Sequence, residues 1–312
     1  MTAAEYPCRA PVLLLAFRRP DTTARVFQAI RQAQPAQLYV AANAPRSGNA
    51  EEAEQCAEVR RIVQAVDWDC SLHTLFRDEH LPVGESVSSA VTWFFEAVEA
   101  GIVLEDDCLP HATFFPFCSE MLERYRDASL VMQVAGYNFL GGSYESESDY
   151  LFSHFGWQWG WATWKRAWGC FDLHMTSWPQ FKKLGLHEHF PFYPERVRVF
   201  DAAHAGKLAT WDFQWHYAMA ANSGLSVVSK TCLVENIGFG ATSTNNKDAS
   251  AGARYRIPVQ PMPLPVKHPK FLCADLQYDR LLIRAVHRRS IRSHARAFAS
   301  RLVRRLFPSL RT

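Results

Sequence analysis

Short apolar runs alternate with amphipathic segments through the first half of the chain. The run PVLLLAF at positions 11–17 contains no polar residue, which is typical of a strand buried on both faces of a parallel sheet. After it, Pro20 and Asp21 mark a turn and cap, and apolar residues then recur at helical spacing up to Ile30. The pattern predicts a first strand followed by a helix.

The same alternation continues toward the middle of the chain, and Gly101 is predicted to close the third helix as its C-cap. Further strands are predicted at 37–42, 71–76, 101–107 and 130–136, and further helices at 51–66, 83–100 and 112–127. This alternation predicts an α/β fold, a doubly wound and mostly parallel central sheet flanked by helices. Ligands of such sheets bind at the C-terminal ends of the strands.

The second half has a different texture, because eight of the ten tryptophans lie between positions 157 and 215. Helices are predicted at about 194–205 and 212–222, and strands at 225–229 and 231–236. The proline-rich stretch IPVQPMPLPVKHP is predicted to be an extended connector that ends this unit.

The C-terminal stretch from Arg280 to Thr312 carries ten arginines and no acidic residue. From Tyr278 onward, apolar residues recur mostly every three to five positions with arginines between them, which predicts a basic amphipathic helix. Such a helix suits an anionic membrane surface or an acidic partner. The alternative is a helix that docks on the domain and leaves its basic face in solvent.

Composition narrows the class of protein. Of 312 residues, 48% are hydrophobic and 21% charged, which is typical of a folded globular protein, and a net charge of +3 does not indicate nucleic-acid binding. The eight cysteines form no CxxC pair, which favours reduced thiols over a disulfide framework or a zinc site. No apolar run approaches the ~20 residues of a membrane span, and the N-terminal run is too short for an export signal. A cytoplasmic protein is expected.

The strongest signal for chemistry is IVLEDDCLP, where Glu105, Asp106 and Asp107 follow a predicted buried strand. The chain has no glycine-rich phosphate loop, so a bound diphosphate would need a hard cation, and carboxylate oxygens suit Mg²⁺ or Mn²⁺. Consecutive residues at a strand end point to opposite sides, so one or two of the acids should face the cleft. We expect Asp107 to bind the metal directly and Asp106 to support metal or ribose contacts. The alternative is a solvated acidic turn.

Asp212, in the segment TWDFQW, is the second candidate. Its aromatic neighbours Trp211, Phe213 and Trp215 favour a raised pKa and a cleft that accepts a sugar ring. These properties suit a general base that deprotonates an acceptor hydroxyl. The alternative is that Asp212 is only the N-cap of the predicted helix.

The tryptophans of FGWQWGWATWKRAW are candidates for a platform on which a sugar stacks. The members considered are Trp157, Trp159 and Trp161, together with Trp211. Glycines between these rings indicate a tight loop where the backbone approaches another group. The alternative is that the tryptophans pack in the core and at its rim.

Five stretches together resemble the bacterial GT-A glycosyltransferases that are similar to the N-acetylglucosaminyltransferase I group, some of them described as haemolysin-like. They are AFRRPDTTARVFQAI, VSSAVTWFFEAVEAGIVLEDDCLPHATFFPFCSEMLERY, FGWQWGWATWKRAW, TWDFQW and NIGFGATST, and they span roughly residues 11–245. The central block is the most specific, because EDD at a strand end is followed at once by a helix containing FF.

The resemblance implies a Rossmann-like nucleotide-diphospho-sugar transferase domain at 1–265. Its nucleotide-sugar half would cover about 1–140 and its acceptor half about 141–265, and 266–312 would form a connector and the basic helix. The implied reaction is an inverting transfer from a nucleotide-diphosphate donor, UDP-linked, to a carbohydrate or glycolipid acceptor in surface polysaccharide assembly. The basic helix would hold the enzyme at the inner face of the membrane.

The resemblance also implies roles for individual residues. Arg18 and Asn43 would line the nucleotide pocket together with Glu105 and Asp106. Asp107 would hold Mn²⁺ or Mg²⁺, which stabilises the departing diphosphate. Asp212 would be the base, since an inverting transfer needs one carboxylate on the acceptor side.

Two positions depart from the pattern of this family. The loop VAANAPR has Asn43 where a VAADGPR-like loop has an acid, and NIGFGATST has Ser243 where histidine is frequent. Both favour a non-catalytic sugar-binding or scaffold protein, whereas the retained EDD run and Asp212 argue against it. A nucleotidyltransferase is the other alternative, but it would normally need a glycine- and lysine-rich phosphate loop where this chain has RRPDTT.

Overall fold

The computed structural model describes residues 8–190, 193–239 and 255–286. The strands are β1 Val12–Ala16, β2 Gln37–Ala42, β3 Ser71–Phe76, β4 Ala100–Glu105, β5 Cys108–Pro110, β6 Val131–Ala135, β7 Tyr150–Ser153, β8 Trp161–Trp164, β9 Leu225–Ser229 and β10 Val234–Asn236. The helices are α1 Pro20–Ala33, α2 Ala50–Gln64, α3 Val83–Ala97, α4 Phe114–Arg124, α5 Lys165–Trp168, α6 Trp178–Lys183, α7 Tyr193–His204 and α8 Asp212–Ala221. Residues 186–189 form a 3₁₀ turn, and residues 276–286 are helical.

The central sheet has eight strands in the order β3-β2-β1-β4-β8-β6-β9-β7. Its first four strands are parallel neighbours, and β6 is parallel to β9. β8 is antiparallel to β4 and β6, and β7 is antiparallel to β9, so these two strands run against the other six. The predicted α/β fold with a mostly parallel central sheet is confirmed.

Helices cover both faces of this sheet. Val12 and Leu14 of β1 pack in a core layer with side chains of α1 and α4. Leu13 and Leu15 point to the opposite face and pack with side chains of α3 and α8. Because both faces of β1 are buried, the first apolar run has no polar position.

Two predicted helix ends are corrected. The N-cap of α1 is Arg19, with Pro20 as the first helical residue and Asp21 inside the first turn. α3 ends at Ala97, and Gly101 lies within β4. A Cβ added at Gly101 would overlap the ring of Phe94, so the glycine permits close packing of α3 on the sheet and does not cap the helix.

The tryptophan-rich segment contributes a strand that the sequence pattern did not predict. Trp161, the first residue of β8, is fully buried and packs against Trp168, Trp211 and Trp215 with ring centroids 5.6–6.2 Å apart. Trp211 is 5% exposed. The platform prediction is therefore corrected for Trp161 and Trp211, because a ring enclosed in the core has no face to offer a sugar.

Residues 255–286 return to the sheet. Ala274 forms a bridge with Phe152 in β7, and the side chains of Tyr278 and Leu282 are buried in one cluster with Tyr137. The predicted boundary at 265/266 stays a prediction. The predicted basic helix is helical through residue 286, and its remainder lies outside the described residues. Within the described ranges, no helix is long and apolar enough to cross a membrane.

Candidate functional site

A cleft of about 480 Å³ opens at the C-terminal ends of β1, β2 and β4, the edge where the fold class predicts a ligand. Its polar lining comes from the residues that follow the parallel strands of one half of the sheet. These residues are Arg19 after β1, Asn43 and Arg46 after β2, Arg77 and His80 after β3, and Glu105, Asp106 and Asp107 at the end of β4.

The acid run is tied to the end of β1. The carboxylate of Asp106 is 3% exposed and accepts a hydrogen bond from the backbone N–H of Phe17 at 3.0 Å. The Arg19 guanidinium donates to Asp106 Oδ1 and, at 2.8 Å, to Asp107 Oδ2. Two neighbouring strand ends therefore meet through one arginine and two carboxylates.

Negative charge in this cluster exceeds what Arg19 compensates. Burial raises the pKa of Glu105 to about 8, and the nearby carboxylates of Asp107 and Asp106 act in the same direction. Burial also raises the pKa of Asp106 to about 6, although the positive charge of Arg19 opposes it. In the described part of the chain, the Glu105 carboxylate has neither a hydrogen-bond nor an ion-pair partner.

Carboxylate oxygens of this kind fit a hard divalent cation. Among the described residues, no three His, Cys, Asp or Glu side chains are arranged to hold a metal by themselves. Mg²⁺ and similar ions are commonly held by one or two carboxylates together with substrate phosphates and water. Asp107 and Glu105 could supply the carboxylates, so the residues fit a cation that is shared with a bound diphosphate.

A short two-stranded sheet forms the wall beside the acids. β10 pairs antiparallel with β5, and the N–H of Ile237 donates to the carbonyl oxygen of Asp107 at 2.8 Å. A Cβ added at Gly238 would overlap the Asp107 carboxylate and come within 2.7 Å of Arg19 Nη1. Only a glycine lets this segment lie so close to the acid run. Ser243, further along, lies outside the described residues.

Asn43 holds the opposite wall together. Its Nδ2 donates to the carbonyl oxygen of Leu81 at 2.9 Å, and its Oδ1 accepts from the N–H groups of Leu81 at 3.1 Å and Ala44 at 3.0 Å. The side chain is 8% exposed. Asn43 thus lines the cleft, with its carboxamide joined to the loop that follows β3, and its place in a nucleotide pocket stays a prediction.

The arginines are distributed differently from the sequence prediction. Arg18 Nε lies 3.2 Å from the buried carboxylate of Glu52, and the residue is not part of the cleft lining. Arg19, Arg46 and Arg77 line the cleft, and sequence reasoning did not single them out. Each of the three follows a predicted parallel strand within a few residues, which is the signal that could have found them.

Asp212 is the first residue of α8, and the N-cap is Trp211. Burial raises the pKa of Asp212, whereas the positive charge of His216 opposes the shift. Its Oδ1 accepts a hydrogen bond from the Thr210 hydroxyl. The negative charge of Asp212 also raises the pKa of Glu105, although Asp212 comes from the other half of the chain and is not part of the cleft lining.

Trp159 is the tryptophan of the predicted platform that lines the cleft. Its ring is partly exposed and packs edge-on against Tyr137 at 4.8 Å and Phe239 at 5.7 Å. Trp157 stacks on Phe139 at 5.4 Å instead.

Neither a protein-family model nor a curated protein sequence matches the chain. Among solved structures, it is similar to HddC from Yersinia pseudotuberculosis, with 10% identity and a TM-score of 0.30 over 50% of this chain and 77% of that one. It is also similar to apo UDP-glucose pyrophosphorylase, with 8% identity and a TM-score of 0.35 over 78% of this chain and 98% of that one. For a UDP-glucose pyrophosphorylase complexed with UDP-glucose the values are 8% and 0.26, over 46% and 62%. Likenesses of this degree do not identify an activity.

Proposed function

We propose that this chain is a glycosyltransferase that moves a sugar from a nucleotide-diphosphate donor to a hydroxyl of a carbohydrate or glycolipid. The observation that supports it best is the run Glu105, Asp106 and Asp107 in a cleft that three arginines also line, with a further carboxylate, Asp212, whose charge raises the pKa of Glu105. This combination suits a reaction in which a diphosphate leaves and a hydroxyl loses its proton. It also agrees with the resemblance to the N-acetylglucosaminyltransferase I group.

On the donor side, the chain offers positive charge and a hard-cation site to a diphosphate. Arg19, Arg46 and Arg77 are available to donate to phosphate oxygens. Mn²⁺ or Mg²⁺ held by Asp107 and Glu105 would neutralise the charge that develops on the departing diphosphate. The wall built from Asn43 and Leu81 leaves room for the nucleoside, and UDP is the nucleotide that the resemblance implies.

On the acceptor side, Asp212 takes the proton of the attacking hydroxyl. The hydroxyl oxygen forms a bond to the anomeric carbon, and the bond from that carbon to the diphosphate oxygen breaks on the opposite face, so the configuration inverts. A raised pKa makes Asp212 a stronger base, provided that it is ionised when the acceptor binds. Trp159, which lines the cleft, offers a partly exposed ring to the acceptor sugar.

Asn43 has a structural role in the loop beside the cleft, so its presence in place of an acid does not by itself indicate an inactive protein. A carboxylate at this position would place an oxygen against the Leu81 carbonyl, where Asn43 Nδ2 now donates. The hydrogen bond to the Leu81 loop therefore explains why this position has an asparagine where the family has an acid. This weakens the argument for a non-catalytic binding protein.

A nucleotidyltransferase remains the competing enzyme class. After β1 the chain enters α1 at Pro20, and the N–H of Phe17 is already bonded to Asp106, so this turn has no glycine- and lysine-rich loop to hold a triphosphate. The two classes differ in product. A glycosyltransferase releases a nucleoside diphosphate, whereas a nucleotidyltransferase given a nucleotide sugar and pyrophosphate forms a nucleoside triphosphate.

The experiment is a panel of nucleotide sugars tested by thermal shift and by product analysis, with and without Mn²⁺ and with and without pyrophosphate. We expect one donor class to stabilise the protein only with Mn²⁺ and to release nucleoside diphosphate. Asp107→Ala should abolish the response, and Glu123→Ala, on the surface of α4, should leave it intact. Triphosphate formation would favour the nucleotidyltransferase, and no response to any donor would favour the binding protein.

The setting proposed for this activity is surface polysaccharide assembly at the inner face of a membrane, with the basic stretch at 280–312 as the contact. Deletion of residues 287–312 should release the protein from anionic vesicles. Unchanged partition after the deletion would contradict this localisation.

A further inference from the structure

Arg19 is bonded to the carboxylates of the acid run, including Asp107, to which a cation is expected to bind. Its guanidinium is 17% exposed and bonds both Asp106 and Asp107, the second through the Oδ2 oxygen at 2.8 Å. The two ion pairs neutralise part of the cluster without any ligand. Arg19 is therefore an internal counter-cation at the carboxylate expected to hold the metal.

The backbone of Arg19 is held in place. Arg19 is the N-cap of α1, and its carbonyl oxygen accepts from the N–H of Thr23 at 3.0 Å and from the Thr23 hydroxyl at 2.7 Å. Pro20 restricts the backbone conformation of the preceding residue, Arg19. The side chain can turn, but the positive charge stays at this edge of the cleft.

A divalent cation that binds Asp107 alone would therefore lie beside a guanidinium already bonded to the same carboxylate. Like charges at such distances repel strongly where water is scarce. A bound diphosphate removes this repulsion, because its oxygens accept hydrogen bonds from Arg19 and at the same time coordinate the cation.

We propose that Arg19 makes binding of the divalent cation and of the donor diphosphate cooperative, so that each ligand raises the affinity for the other. Without the diphosphate, Arg19 competes with the cation for Asp107. With the diphosphate, Arg19 transfers its hydrogen bonds to phosphate oxygens and frees the carboxylate. The inference rests on the proposed function and adds a residue, absent from the sequence-based assignment, that sets how metal and donor are coupled.

Coupling of this kind is reciprocal, so each ligand must tighten the other by the same factor. We expect UDP to raise the affinity for Mn²⁺ by a factor toward the upper end of the usual range of about 5–150. In Arg19→Gln, Mn²⁺ alone should bind about tenfold more tightly, because the competing charge is gone. The coupling factor should shrink accordingly.

The test measures Mn²⁺ binding by electron paramagnetic resonance and calorimetry, with and without UDP, at mildly alkaline pH so that protons do not replace Arg19 on the acids. Arg46→Gln is the matched control, since it removes the same charge from the same cleft but pairs with Glu52 and not with the acid run. Its affinity for Mn²⁺ alone should rise much less than that of Arg19→Gln, because Arg46 has no contact with Asp107.

Arg19→Lys keeps the positive charge and loses the contact to both carboxylates. Its affinity for Mn²⁺ alone should therefore lie between those of the parent and Arg19→Gln. It also serves if Arg19→Gln does not fold, which thermal denaturation would reveal. An equal change in the affinity for Mn²⁺ alone in Arg19→Gln and Arg46→Gln would overturn this inference and leave the proposed function standing. Tight Mn²⁺ binding by the parent without UDP would do the same. No Mn²⁺ binding by parent or variants even with UDP would overturn the metal-dependent function together with it.

Discussion

Two groups of buried carboxylates differ in how they are satisfied. Asp279, in the helical segment 276–286, is 1% exposed and accepts hydrogen bonds from Ser153 Oγ at 2.5 Å and His154 Nδ1 at 2.7 Å. In the cleft, Asp106 and Asp107 share Arg19, and Glu105 has no partner among the described residues. Asp279 has several donors of its own within the fold, whereas the three acids of the cleft share the Arg19 guanidinium and the Phe17 N–H.

The difference separates an acid that is bonded within the fold from acids that we propose bind a ligand. Asp279 ties β7 to the helical segment, and its donors are supplied by the chain. The acid run keeps like charges together, which costs stability unless a ligand compensates them. Clusters with shifted pKa values in a cleft are typical of functional sites. Four substitutions test this contrast.

The largest effect is expected from Asp212→Asn, which removes the base and preserves the shape of the side chain. We expect kcat to fall by about 10²–10⁴, the usual contribution of general base catalysis, with donor binding unchanged. Single-turnover kinetics and a donor titration would measure the two quantities. A rate within a few-fold of the parent would assign Asp212 to the structural group instead.

Asp279→Asn should act on stability and not on catalysis. An asparagine cannot accept from both donors, so one buried partner loses its bond at a cost of about 1–3 kcal/mol of unfolding free energy. Urea denaturation would measure the loss, and donor affinity should stay at the parent's value. A variant as stable as the parent would show that Asp279 does not hold the helical segment.

Glu105→Gln should raise the free energy of unfolding, the opposite of Asp279→Asn, and the gain should depend on pH. The pKa of Glu105 in the folded protein, about 8, lies above its ordinary value of 4.5, so ionisation disfavours the folded state as pH rises between these values. Without divalent cation, the variant should exceed the parent in stability by ~1 kcal/mol or more at pH 8 and lose this advantage near pH 4.5. Urea midpoints at both pH values would measure it. A difference in stability between variant and parent that is the same at both pH values would mean that the charge of Glu105 is neutralised by other groups in the fold.

The smallest effect is expected from Gly238→Ala, which pushes on Asp107 and Arg19 without altering charge. The affinity for Mn²⁺ with UDP should fall by up to about tenfold, or ~1.4 kcal/mol, in calorimetry. Gly169→Ala is the control, because its added Cβ would meet its nearest neighbour, the Lys165 carbonyl oxygen, at an ordinary 3.5 Å. Equal affinities in both variants would show that the Gly238 contact does not shape the site.

Much of the fold could be predicted from local pattern. The bounds of β2, β3 and β9 agree with the predicted strands. Of these, β2 and β9 are buried over nearly their whole length, whereas β3 is a partly exposed edge strand. β8 was missed because its tryptophans are equally compatible with loop and core. It also pairs between β4 and β6, so its place depends on neighbours from another part of the chain.

The site was predicted in part. The acid run was identified because acids after a buried strand must lie at the ligand-binding edge of the sheet. The choice between Arg18 and Arg19 could not be made, since adjacent residues after a strand point in different directions and the turn into α1 decides which one faces the acids. Trp159 and Trp161 differ for a similar reason, since only Trp161 begins a buried strand.

By itself, the sequence determined the α/β class, the strand ends at which charged residues gather and the identity of the acids, since these follow from hydrophobic periodicity and residue type. The tertiary structure decided which charges meet. Arg19 reaches Asp106 and Asp107 because β1 and β4 are neighbours, and the charge of Asp212 acts on Glu105 because α8 packs against the central sheet. Contacts between distant segments depend on strand order and packing, which no local pattern encodes.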